Sequence, residues 1–188
     1  MNLLRYSLLC LISLGTFLSA SSQKKNDPTE KKLDSLIGKM TLEEKIGQMS
    51  QITLDVLGTV KSGSGFELSD ALLDDAIGKY KIGSVLNTSE NRAMTTAKWN
   101  AIVAKIQQKA MATKMGLPVI YGFDAIHGAT YVAGATFFPQ QIGMAATWNR
   151  QLVKEGASIT AYESKAAGVH WNFSPVLDLG TNPLWPRL

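Results

Sequence analysis

The sequence predicts an α/β fold built on a parallel sheet. Short apolar runs centred near residues 85, 120, 144 and 174 have the length and composition of buried strands. The spacings between them, 35, 24 and 30 residues, each leave room for a crossover helix. No run is followed at once by a Gly-x-Gly-x-x-Gly turn opening a helix. A nucleotide-binding, doubly wound sheet therefore lacks its local mark, and a (β/α)8 barrel is favoured.

The elements follow in order. Residues 1–22 read as a secretory signal peptide: Arg5 near the start, an apolar run over residues 8–18, then small residues ending at Ser22. The run is too short to span a bilayer, which takes about 20 apolar residues. Cys10 lies inside the run, the wrong setting for a lipoprotein cysteine. Residues 23–29 are a polar tail containing Pro28. Leu33, Leu36, Ile37 and Met40 fall at helical spacing and predict a helix over 30–40. Thr41 and Glu44 have the spacing of a capping box, so a second helix begins at Leu42. Gly58, Gly63 and Gly65 with their serines predict a loop over 58–65. Ser69 caps a helix carrying Leu72, Leu73, Ala76 and Ile77.

A strand over 82–87 comes next. Trp99, Ile102, Val103, Ile106 and Ala110 then form one stripe of a long helix ending near Gly116. Residues 118–124 read as a strand, and 142–146 as a weaker one. Leu152, Gly156, Ile159 and Glu163 predict one face of a further helix, and 169–179 a strand broken by Pro175. Trp99, Trp148 and Trp171 read as core aromatics. Trp185, in a loop beside Pro183 and Pro186, is open to either role, a core aromatic or a ring lining a sugar site.

Composition narrows the function. Of 188 residues, 45% are hydrophobic and 18% charged, which excludes a disordered or collagen-like chain. The net charge of +4 is spread out, with no basic block longer than a pair, so nucleic acid is not the expected partner. One Cys excludes a disulfide framework, and two histidines 43 residues apart argue against a compact metal site. Without residues 1–22 the chain has 166 residues, 18 basic and 15 acidic side chains and no cysteine. A full barrel takes about 250 residues, with a lower limit near 200. Three or four strands in 166 residues therefore make residues 30–188 the N-terminal portion of a barrel, incomplete in this chain.

Active sites of parallel barrels lie at the C-terminal ends of the strands. Asp124 follows one apolar run directly, and His127 and Gly128 come soon after. Asn172 and Asp178 belong to the last run, and Arg187 lies nine residues further on. Each has a structural role open to it. Asp124 suits a turn or helix cap, and His127 a hydrogen-bonded supporting position. Asp178, before Gly180 and Asn182-Pro183, suits a turn, and Arg187 a surface position. Paired carboxylates would serve glycoside hydrolysis, but the distance that defines such a pair is not a property of sequence.

Three segments extend the inference. They are Met40-Thr-Leu-Glu-Glu-Lys-Ile-Gly-Gln-Met49; Leu117-Pro-Val-Ile-Tyr-Gly-Phe-Asp-Ala-Ile-His-Gly128, followed by Phe138-Pro139 and Ile142-Gly-Met-Ala-Ala-Thr-Trp148; and Gly168-Val-His-Trp-Asn-Phe-Ser-Pro-Val-Leu-Asp178 through Arg187. In this order they resemble the start of the family 3 glycoside hydrolases, most of all bacterial exported β-glucosidase-like members. The resemblance implies a TIM-like barrel and an oligosaccharide or β-glucoside substrate, hydrolysed at nonreducing ends with retention. It implies no metal or organic cofactor. It assigns Asp124, in the Gly-x-Asp-Ala-x-His-Gly motif, and Arg187 to the glycone subsite. His127, Asp178 and Trp185 become supporting positions. The Arg187 segment departs from the family's Asp-Pro-Arg-Trp-Gly-Arg by Asn182, Leu184 and Pro186. The family's Lys-His pair, aspartate nucleophile and glutamate acid/base follow later in its members, so no catalytic residue is expected in this chain. An enzyme in the periplasm or cell exterior is expected, with no membrane span in the mature chain. The alternative is a noncatalytic sugar-binding or scaffold remnant of the same fold.

Overall fold

The computed structural model describes residues 27–62, 65–177 and 180–184. The signal-peptide reading of residues 1–22 lies outside the described residues, as do Asp178, Trp185 and Arg187. The chain divides into two units, residues 1–41 and 42–188. In the first, helix α1 (Pro28–Lys39) forms where predicted. Asp27 accepts a hydrogen bond from the Thr29 N–H at 2.8 Å, and Pro28 opens the helix, where no amide partner is needed. Glu30 in the first turn and Lys39 in the last complement the helix dipole.

The second unit begins with helix α2 (Leu42–Gln48) and a short strand β1 (Gln51–Thr53). A helical turn (Leu54–Leu57) leads to β2 (Gly58–Lys61) and β3 (Gly65–Leu68), an antiparallel pair. The loop expected over 58–65 is thus largely a pair of strands, in which Gly58 opens β2 and Gly65 opens β3. Ser69 caps α3 (Asp70–Leu73) as predicted, and a wider π-type turn (Asp74–Lys79) continues it. Strand β4 (Ser84–Leu86), helix α4 (Thr96–Met111) and strand β5 (Ile120–Phe123) match their expected positions.

Residues 142–146 are a correction. They lie in helix α5 (Gln141–Ala146), not a strand. A five-residue apolar run does not distinguish the two, and Met and Ala favour a helix once Pro139 is past. Helix α6 (Arg150–Ala166) is present, but Gly156, Thr160 and Ser164 form its buried face. The hydroxyls of Thr160 and Ser164 bond to the carbonyls of Gly156 and Thr160, at 2.8 and 2.7 Å, which lets polar residues sit inside. The last strand, β6, shrinks to Trp171–Asn172.

The sheet runs β1-β4-β5-β6, all parallel and in chain order. A doubly wound sheet reverses its order at a switch point, whereas a barrel adds each strand to the same side. The sheet is therefore part of a barrel wall. Pairing aligns Ile52, Val85 and Tyr121 on one face. Tyr121 and Phe123 meet Trp99 of α4 edge to face, with ring centroids 5.7 and 5.6 Å apart. Val85, Trp99, Ile106 and Phe123 are fully buried there. Trp99 is the core aromatic expected, but Trp148 and Trp171 are not, being 91% and 41% exposed. No helix among the described residues is long and apolar enough to cross a membrane.

Candidate functional site

Parallel pairing brings the C-terminal ends of four strands to one edge. Asp55 follows β1, Asn87 follows β4, Asp124 follows β5, and Phe173 follows β6. Asp124 is half-buried. Its carboxylate takes no hydrogen bond or ion pair from any described residue. A capping aspartate would hold a backbone N–H, so Asp124 does not cap this turn. The ring of Tyr131 packs 5.8 Å from that of Phe123. Burial, and then the Asp124 charge, push the Tyr131 phenol above its ordinary range.

The backbone around Asp124 is held closely. Ala125 N–H donates to Asn172 Oδ1 at 2.9 Å, and Asn172 Nδ2 donates to Ala125 O at 3.0 Å. Phe138 N–H donates to His127 O at 2.8 Å, and His127 Nδ1 lies 2.9 Å from Phe138 O. A carbonyl only accepts, so Nδ1 carries the proton. Nε2 then accepts from Gln140 Nε2 at 3.0 Å. Both ring nitrogens of His127 are therefore engaged. Gly128, at φ 115°, lies against the backbone of Thr136. His127 and Asn172 also border an apolar cavity of about 510 Å³, shared with Phe138, Met144, Val153 and Thr160.

Asn87 and Asp55 were not singled out in sequence, although Asn87 directly ends an expected strand. Asn87 has φ 58°, which an asparagine tolerates better than most residues. Its N–H donates to Gly122 O at 2.8 Å, and its carbonyl accepts from Tyr121 OH at 2.7 Å. Its Oδ1 is buried with no partner among the described residues. Asp55 Oδ1 accepts from Glu90 N–H at 3.2 Å. The structure thus gathers Asp124, His127 and Asn172 in one braced region, while Asp178, Trp185 and Arg187 lie outside the described residues.

A run of parallel strands in barrel order, with polar groups at their carboxyl ends, defines an α/β-barrel protein of the kind that builds active sites on that edge. Residues 41–188 match the glycosyl hydrolase family 3 N-terminal domain, and the chain belongs to that family. It is 35% identical over 164 residues to the "Lysosomal beta glucosidase" of Dictyostelium discoideum, covering 83% of this chain and 20% of that protein. It is 30% identical over 171 residues to the "Periplasmic beta-glucosidase/beta-xylosidase" of Dickeya chrysanthemi, covering 86% and 25%. The crystal structure of an exo-1,3/1,4-beta-glucanase from a Pseudoalteromonas species aligns with TM-score 0.65 and 32% identity, over 82% of this chain and 18% of that one. The chain thus spans about a quarter or less of these relatives.

Proposed function

We propose that this chain supplies part of the glycone site of an exported, retaining β-glycosidase of β-glucosidase type. One observation carries the reading: Asp124 stands at the carboxyl end of β5 with its carboxylate unpartnered among the described residues, in a chain of this family. A carboxylate can accept two sugar hydroxyls at once, and such charged hydrogen bonds are the strong ones. Arg187 is the second glycone contact, on the strength of its motif. The covalent chemistry, formation and hydrolysis of a glycosyl-enzyme, belongs to carboxyl groups outside this chain, so the chain alone hydrolyses nothing. Residues 1–22 direct export, residues 23–29 form a polar tail, and residues 30–188 belong to the barrel. The "Periplasmic" relatives support the export reading.

The test is kcat/KM of the full-length protein on a panel of aryl β-glucosides, β-xylosides and N-acetyl-β-glucosaminides. Losing a hydrogen bond to a charged group costs about 1.5 to 3 kcal/mol. Asp124→Ala should therefore lower kcat/KM about tenfold to a hundredfold, and Arg187→Ala likewise. Circular dichroism checks that the fold is intact. A folded Asp124→Ala enzyme with unchanged kcat/KM on every substrate the parent hydrolyses removes Asp124 from the site.

A further inference from the structure

We propose that Asn172 and His127 are positioning residues, bracing the Asp124 loop from two sides so that its carboxylate is presented in one place. This rests on the glycone-binding reading of Asp124. Asp124 itself has no tether among the described residues, so its location depends on its neighbours. One residue on, Ala125 is fixed to β6 through both polar atoms of the Asn172 amide. Three residues on, His127 is fixed to Phe138 through its backbone carbonyl and Nδ1, while Gln140 holds Nε2.

The Asn172 pairing has the form of a ladder step made by a side chain. β5 and β6 pair as Gly122 with Trp171 and Phe123 with Asn172, and the Phe173 N–H continues to Phe123 O at 3.1 Å. The backbone of Ala125 then meets the Asn172 amide across the sheet, its N–H shared with Phe123 O at 3.2 Å. Asp124 sits between the last true ladder residue and this surrogate step. The second brace reaches the segment leading into α5, so the two anchors belong to different elements. A carboxylate held this way needs no reorganisation to meet a sugar hydroxyl, and a misplacement of about 1 Å can cost a hundredfold in rate.

The experiment is a double-mutant cycle on kcat/KM in the full-length protein, with the same aryl glycosides. Asn172→Ala and His127→Ala are expected to lower kcat/KM about tenfold or more, and to add little in an Asp124→Ala background. His127→Asn, which keeps a donor for Phe138 O, should recover most of the loss. Asn172→Asp keeps the acceptor and shape and should fall between. It also serves if Asn172→Ala does not fold. Equal losses with and without Asp124 would overturn the proposal, because a purely structural residue is indifferent to Asp124. Amide hydrogen exchange gives a second readout. The Ala125 N–H, left with Phe123 O alone, should exchange faster in Asn172→Ala, and an unchanged rate would mean that Asn172 does not hold it and would count against the brace. An Asp124→Ala enzyme of full activity would instead sink the glycone reading, while the exchange result still reports on the brace.

Discussion

Gly128 and Gly134 share a positive φ, 115° and 86°, but differ in their surroundings. A Cβ on Gly134 would meet nothing within 4 Å, whereas one on Gly128 would lie 2.2 Å from Thr136 O. Gly134→Ala should cost only the backbone conformation, about 1 kcal/mol. Gly128→Ala must also push the loop off Thr136 and should cost about 3 kcal/mol or more. Thermal unfolding of the full-length protein followed by circular dichroism measures both, and equal shifts in Tm would mean that the loop yields freely. Tyr121 gives a pH-dependent contrast. Burial first, and then the Asp55 charge, hold its phenol above the ordinary value of 10.0. The folded state keeps a proton that the unfolded state releases. The stabilisation is therefore intact below about pH 10 and lost as pH rises further. Tyr121→Phe gives up the bond to Asn87 O and should be about 0.5 to 1.5 kcal/mol less stable at pH 8. Urea unfolding between pH 9 and 11 should show that deficit shrinking; a constant deficit would contradict the assignment. Asp124 was legible in sequence because it ends an apolar run. The part played by Asn172 was not, because it depends on which backbone lies opposite.

Strand β5 is held at both ends by side-chain amides. Beyond its carboxyl end Asn172 pairs with Ala125; before its amino end Gln107 of α4 pairs with Val119. There the Val119 N–H donates to Oε1 at 3.1 Å, and Nε2 donates to Val119 O at 2.6 Å. Val119 is buried, so Gln107→Ala leaves a backbone donor and acceptor without partners, at a cost of about 1 to 3 kcal/mol. Gln107→Glu keeps the acceptor and should lose less, and the full-length protein's Tm orders the two variants. A Gln107→Ala protein as stable as the parent would mean that water reaches Val119. The strand itself was legible because residues 119–123 are apolar throughout. β1 was not: Gln51-Ile52-Thr53 offers one apolar residue, and pairing with β4 makes it a strand. The face of α6 was misplaced in part, for a related reason. The expected face of Leu152, Gly156, Ile159 and Glu163 was right at Gly156, but Leu152 and Ile159 are exposed and packing buried the small residues Thr160 and Ser164 instead.

At the scale of the whole molecule, the described residues pack one face of the sheet with α4 and leave apolar side chains on the other exposed. Ile52, Val85 and Tyr121 align on the side that α4 packs. On the other side Gln51, Ser84 and Ile120 align, as do Thr53, Leu86, Gly122 and Trp171. Ile120 and Trp171 there are exposed. A closed barrel fills that interior with inward side chains from eight strands, and this sheet has four among the described residues. β1 and β6 are its edges among the described residues, and an unpaired parallel edge beside apolar surface invites pairing with another chain. Exposed Ile46, Val56 and Tyr80 lie near β1, around a groove that also takes in Ile52. Residues 23–188 expressed alone should therefore associate with rising concentration, bind a hydrophobic dye and melt without a sharp transition. Sedimentation velocity over a wide concentration range, paired with calorimetry, measures this. Ile120→Lys should reduce association by placing a charge on the open face, while Tyr162→Lys, at an exposed position on α6, should not. A monodisperse monomer with a cooperative transition would mean that the open face and both edges are covered by this chain itself.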